Sequence, residues 1–168
     1  MLYDLTITQF TKMLHNLNHL MDKALTYAET KNFEPEIFVQ ARLAPDQFPF
    51  VRQVQIACDT AKFCAARLTG KDAPAHQDTE KSLGELQARV NQTIAFLKTV
   101  SEADLKAAMD RHVTQPRWEG KYLLGGEYAI QHALPNFYFH ITTAYAILRH
   151  NGVDVGKKDY LGEMPFKK

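Results

Sequence analysis

The sequence predicts an all-α fold: a four-helix bundle with a small β-hairpin inserted before the last helix. Three observations carry this. Apolar residues recur at three- and four-residue steps in four long segments, the pattern of amphipathic helices. Breakers fall at the joints between those segments, with Pro35, Pro45 and Pro49 in one connection and Gly70 and Gly152 after helix ends. Between the third and fourth segments the helical period is lost, and Val113, Trp118, Tyr122 and Leu123 alternate with Pro116 and Glu119-Gly120 instead.

The first helix runs from about Leu5 to Thr30, with Phe10, Met13, Leu14, Leu17, Met21, Ala24 and Ala28 on one face. Residues 32–49 form a connection in which Pro35-Glu36-Ile37-Phe38 makes one short helical turn before Ala44-Pro45-Asp46. The second helix starts at Phe48 or Phe50 and runs to Leu68, stopped by a glycine cap at Thr69-Gly70. After a polar loop, Asp78 or Thr79 caps the third helix, whose stripe is Leu83, Leu86, Val90, Ile94 and Leu97. A short turn capped by Ser101 turns Leu105 inward, and residues 111–126 form the hairpin. The fourth helix extends from Gly126-Glu127 to His150 and buries Ile130, Phe137, Ile141, Ala144 and Leu148; Pro135 either kinks it or marks its true first turn.

At 168 residues the chain reads as one domain spanning 1–168, able to bury roughly 70% of the surface its unfolded form exposes. A formal charge of +1 argues against nucleic-acid and anionic-membrane partners, and 45% hydrophobic with 23% charged residues is ordinary globular composition. The N-terminus lacks a basic stretch followed by an apolar run, and no segment is long and apolar enough to span a bilayer, so the expectation is a cytosolic protein. Cys58 and Cys64 lie six residues apart on one helix, about 9 Å in rise, beyond disulfide reach, and read as buried inert thiols. Helix two carries Ile56 and Phe63 opposite Val54, Ala61 and Leu68, and helix four adds Tyr138 and Phe139 to a broad face; such surplus apolar faces predict a homodimer.

Three polar groupings could carry chemistry. His15 and His19 share a helix face one turn apart, a spacing that can chelate a metal, but that face points away from the Leu14/Leu17/Met21 stripe towards solvent. On helix four, Asn136 and His140 sit one turn apart at the margin of the apolar face, placed to bind a metal or a substrate or to tie two helices; His132 falls further round, on the exposed side. On helix two, Arg52, Gln55, Asp59 and Lys62 form a polar ridge, either a solvated face or the second half of a site completed by His140. Phosphate-loop, nucleophile-elbow, paired CxxC and HExxH signatures do not occur.

Three stretches, with a matching tail, carry a family resemblance: Ala41-Arg42-Leu43-Ala44-Pro45-Asp46 running into 52–62, Leu134-Pro135-Asn136-Phe137-Tyr138-Phe139-His140, and 144–149 through Asn151-Gly152-Val153, with Gly156-Lys157 and Asp159-Tyr160-Leu161-Gly162 behind. The chain resembles the DinB/YfiT-like superfamily of four-helix metalloenzymes, specifically an uncharacterised branch defined as a domain of unknown function. The resemblance implies a metal site with one histidine on helix two and two, a turn apart, on the last helix, used in some members to activate a low-molecular-weight thiol. His140 matches the last of these histidines; Asn136 stands at the turn before it, and Gln55 or Ile56 at the helix-two position. One imidazole, an amide and Asp59 suit zinc or nickel poorly, so the metal site is expected to be degenerate or absent. His76, His112 and His132 are the remaining histidines that could fill the gap.

Three functions follow as expectations. The first is a metal-free, dimeric bundle with a small-molecule pocket between helices two and four. The second is a metal-dependent transferase or hydrolase with His140 and Asp59 as its catalytic pair and Gln55, Asn136, Lys62 and Tyr145 as substrate-binding residues. In the third, the same polar residues are hydrogen-bond ties that set helix register.

Overall fold

The computed structural model describes residues 1–167. Helix α1 (Gln9–Lys31) continues without a break from a π-helical turn at Asp4–Thr8 and ends at Asn32, whose φ of 58° supplies the left-handed cap. A 3-10 turn at Pro35–Phe38 buries Phe38, and helix α2 (Phe50–Thr69) ends at Gly70 with φ 81°. Helix α3 is Leu83–Leu97. A 3-10 turn at Ala103–Leu105 leads to a two-stranded antiparallel ribbon, β1 (His112–Val113) with β2 (Leu123–Leu124), in which His112 faces Leu124 and Val113 faces Leu123. The last long helix is α4 (Gly125–Tyr128), a π-helical turn at Ala129–Ala133, and α5 (Leu134–His150). A short α6 (Lys157–Leu161) packs back on α1; the sequence reading gave this tail no helix.

The all-α bundle with its hairpin is as predicted, with two local differences. The N-terminal cap of α3 is Ser82, which accepts from the Glu85 amide at 3.2 Å, rather than Asp78 or Thr79. The reason is competition: Asp78 and Glu80 are drawn to the Arg89 guanidinium, at 2.9 Å each, which keeps 78–81 extended. The second difference lies just before Pro135, which marks the first turn of α5, one of the two placements expected for it. Its missing N–H is accommodated by the wide turn at 129–133, which adds a residue and rotates everything before it relative to α5. Ala129 and Ala133 thereby take the buried face, and Ile130, predicted there, is exposed.

The core runs between α1, α2, α3 and α5, with Leu14, Leu17, Val54, Ala61, Leu68, Leu86, Phe137 and Ile141 all removed from solvent. Helix α2 lies at its centre, packed on α5 on one side and α3 on the other. Cys58 and Cys64 are buried and unbonded, and burial pushes both thiols up to about 12, which makes them inert at neutral pH. Gly125 fixes the start of the last helix: a Cβ there would lie 1.9 Å from the Ala108 carbonyl oxygen, so only glycine allows the ribbon to close on 108–109. That closure lays the 115–118 turn beside α2. No helix among the described residues is long and apolar enough to cross a membrane.

Candidate functional site

Helix α2 presents Ile56, Thr60, Phe63 and Arg67 at three- and four-residue steps along one edge. The last helix presents Tyr128, His132, Asn136 and His140 at four-residue steps opposite them. In an uninterrupted α-helix such steps drift about 40° each and would fan round the helix. The π turn cancels that drift, and all eight side chains line one cavity of about 540 Å³, roofed by Phe48 and by Gln115, Pro116 and Arg117.

At one end, His140 is 7% exposed, and its Nδ1 lies 2.7 Å from Gln53 Oε1. The Gln53 amide is oriented by its own Nε2, which donates to the Phe48 carbonyl at 2.9 Å, so the oxygen faces the imidazole. An amide oxygen only accepts. His140 Nδ1 therefore carries the proton, and Nε2 is left as a lone pair. Burial, with the nearby Arg52 charge, lowers the pKa of this imidazole from 6.5 to about 4, so it is neutral at physiological pH. One turn earlier, Asn136 Nδ2 donates to Thr60 Oγ1 at 2.7 Å, and that hydroxyl donates to the Ile56 carbonyl at 2.7 Å.

At the other end, Arg67 donates to the Tyr128 hydroxyl at 2.9 Å and lies over the Phe63 ring, 5.1 Å from its centroid. Arg117 Nη2 lies 2.9 Å from His132 Nε2; a guanidinium only donates, so His132 is neutral with its proton on Nδ1. Burial, then the charges of Arg117 and Arg67, lowers the His132 pKa in keeping with this. His132 stacks on Tyr128, and Trp118 meets both rings edge-on.

Of the sequence-predicted residues, the structure brings His140, Asn136 and Asp59 to this cavity. Others it places elsewhere. Tyr145 faces Tyr160 of α6 and reaches towards the Val155 carbonyl, away from the pocket. Gln55 is buried on the α3 side, accepting from Arg52 and donating to Glu80, each at 2.7 Å. The helix-two side chain that meets His140 is Gln53, not Gln55 or Ile56. Lys62 is 2% exposed and paired with Asp59 at 3.0 Å, so the inner part of the Arg52–Lys62 ridge is a charge network under α3, while Arg52 at its outer end stays 38% exposed beside Asp78. Asp59 is held there by Arg89 at 2.8 Å. His132, expected to be exposed, lines the cavity because the π turn rotates it inward. His19 is exposed, as expected, and also pairs with Asp159 of α6 at 3.1 Å. The sequence reading missed Gln53, Thr60, Arg67, Gln115, Arg117 and Tyr128. Extending the surplus Ile56/Phe63 face by one helical step each way finds Thr60 and Arg67.

The donor set does not fit the three-histidine metal centre that the resemblance implies. His140 offers one free nitrogen, the turn before it offers an amide already donating to Thr60, and the Asp59 carboxylate is held by two cations. No three His, Cys, Asp or Glu side chains among the described residues are grouped to hold an ion. His112 stacks on Tyr122 in the ribbon, 4.0 Å between ring centroids, and does not complete a set.

Compared with known proteins, the chain matches the family described as a domain of unknown function, DUF1993, over residues 2–161. It is also similar to a DinB family member protein from Shewanella denitrificans known from a crystal structure. The two share 58% identity over 100% of this chain and 96% of that chain, with a TM-score of 0.97. No curated protein matches.

Proposed function

The chain belongs to the DUF1993 family of DinB-like bundles, and on that footing we propose that the cavity between α2 and α5 is a metal-free small-molecule pocket built around His140 Nε2. The observation that carries this is the Gln53–His140 bond, which fixes the proton on Nδ1 and turns an unprotonated nitrogen to the cavity side. A ring tied to its neighbours through both nitrogens would leave no free acceptor at the cavity. Nε2 has no hydrogen-bond partner among the described residues, and it is not sealed from solvent. It is placed to accept a hydrogen bond from a ligand hydroxyl, amide or ammonium.

Magnitudes favour binding over proton abstraction. General-base catalysis is best served by a pKa near the working pH, and a group titrating at about 4 is a weak base at pH 7. His140 is thus a hydrogen-bond acceptor that orients a ligand, with Ile56, Phe63 and Phe48 supplying apolar contact. We also propose that the chain forms a homodimer. Phe48, Ile130 and Phe139, all more than half exposed, favour self-association, and light scattering at high concentration checks it against the 19.2 kDa chain mass.

The test of the pocket is a small-molecule fragment screen followed by amide chemical shifts. Binders are expected to perturb Ile56, Phe63 and Asn136, and to be excluded by Ile56→Trp, which fills the cavity from a half-buried position. Binders that map elsewhere and ignore Ile56→Trp contradict the pocket. For the metal, tag-free protein incubated with excess zinc or nickel and dialysed is expected to retain far less than one equivalent. Near-stoichiometric metal that disappears in His140→Ala contradicts the metal-free reading.

A further inference from the structure

The end of the cavity away from His140 carries two guanidinium groups that no carboxylate among the described residues neutralises. Arg67 and Arg117 both line it, and neither guanidinium meets a carboxylate among the described residues. Each is oriented by a neutral partner instead, Arg67 by the Tyr128 hydroxyl and Arg117 by the imidazole of His132, at 2.9 Å in both cases. Such partners aim a guanidinium without cancelling its charge. The one carboxylate lining the cavity, Asp59, is already bonded to Arg89 and Lys62.

A second, independent observation points the same way. Gln115 is more than nine-tenths buried, lines the same cavity, and its Nε2 has no hydrogen-bond partner among the described residues. A buried amide donor left without an acceptor costs about 1–3 kcal/mol, and turning the amide over, which exchanges Nε2 with the open Oε1, lets an incoming acceptor remove that cost. The Tyr128 hydroxyl, which accepts from Arg67, keeps its own proton to donate. The neighbouring walls are aromatic and aliphatic: Phe63 beneath Arg67, and Ile56 one step along α2.

We propose that this end of the pocket binds the carboxylate of a small organic acid, with Arg67, Arg117 and Gln115 donating to it and an apolar body lying along Phe63 and Ile56 towards His140. Arginine forks match the planar, two-oxygen carboxylate, and the apolar wall selects against a bare inorganic anion. The inference rests on the pocket reading above, and adds to it the charge and polarity of the ligand.

The single tryptophan, Trp118, meets Tyr128 and His132 edge-on and reports on this end by its fluorescence. The probes are 4-phenylbutyrate, its uncharged amide 4-phenylbutanamide, and inorganic phosphate. The acid is expected to bind saturably, about tenfold or more tighter than the amide and than phosphate. Arg67→Gln and Arg117→Gln are each expected to weaken the acid severalfold while weakening the amide far less and lowering the melting temperature by no more than a few degrees. Equal affinity for acid and amide, or arginine variants that bind the acid normally, overturns the proposal, as does the absence of saturable binding by the acid. Loss of the acid's advantage with amide binding retained strikes this inference alone. The pocket reading itself is decided by the fragment screen against Ile56→Trp, which needs neither arginine.

Discussion

Helix α2 carries polar side chains on two opposite sides, and the two sides differ in how their charges are balanced. Towards α3, three cations, Arg52, Lys62 and Arg89, meet three anions, Asp59, Asp78 and Glu80, with Gln55 bridging Arg52 to Glu80. Arg89 is 2% exposed at its side chain and touches all three carboxylates. Towards α5, the polar groups are bonded at one atom and open at another: His140 through Nδ1 but not Nε2, Arg67 and Arg117 through neutral partners only. Charge balance separates the two. A cluster whose charges cancel internally holds the fold, whereas one whose donors and acceptors outnumber their partners is shaped for something else.

The comparison breaks most readily at Arg89. Replacing it with Met removes the cation that three carboxylates share and leaves Glu80, 10% exposed, with only the Gln55 amide, and removing one partner of a buried ion pair typically costs about 3–5 kcal/mol. A thermal melt at pH 7 should show a fall on the order of 10 °C, and the deficit should shrink in acid as Asp78 and Glu80, whose pKa values their arginine partners lower, are protonated. A normal melting temperature in Arg89→Met would mean the α3 side is not what holds the helices together.

Acid acts next, and on the pocket side. The folded pKa of His140, about 4, lies below its ordinary 6.5, so the unfolded chain binds the proton first. The stabilisation from keeping this ring neutral is complete above pH 6.5 and is lost as pH falls towards 4, about 3 kcal/mol over the window. Urea unfolding of the wild type and His140→Gln across that range should show the wild-type curve falling more steeply, by that amount. Parallel curves would contradict the assignment.

Smaller effects sharpen the contrast. Asn136→Ala removes one neutral hydrogen bond to Thr60 and should cost about 1 kcal/mol in urea unfolding. Arg67→Gln leaves no charge stranded but removes the bond to the Tyr128 hydroxyl, and should cost about 1 kcal/mol, far less than Arg89→Met. A large loss in Arg67→Gln would move that residue into the structural set.

Much of the bundle was legible in the sequence because periodicity alone reports which face of a helix is buried, and Gly70 and the 35–38 turn fell where the residues indicated. The site was legible only in part. His140 and Asn136 stood out on α5, where the helical wheel holds, but His132 and Ile130 were assigned to each other's sides because a π turn before Pro135 resets the wheel by an amount no periodic count contains. The α2 ridge was ambiguous for a different reason. Whether Asp59 and Lys62 face water depends on Arg89, Asp78 and Glu80, which lie 16–30 residues on from them and reach them only when α3 packs down. Gln53 carried no signal of its own, since its role exists only opposite His140.

Nitrogen-15 long-range correlation spectra of the imidazoles test the central claim most directly, because they report which ring nitrogen of His140 is protonated and where it titrates. The account predicts the Nδ1–H tautomer, unchanged from pH 8 down to the region of about pH 4. An Nε2–H tautomer, or titration near the ordinary 6.5, would contradict it and return His140 to a structural tie.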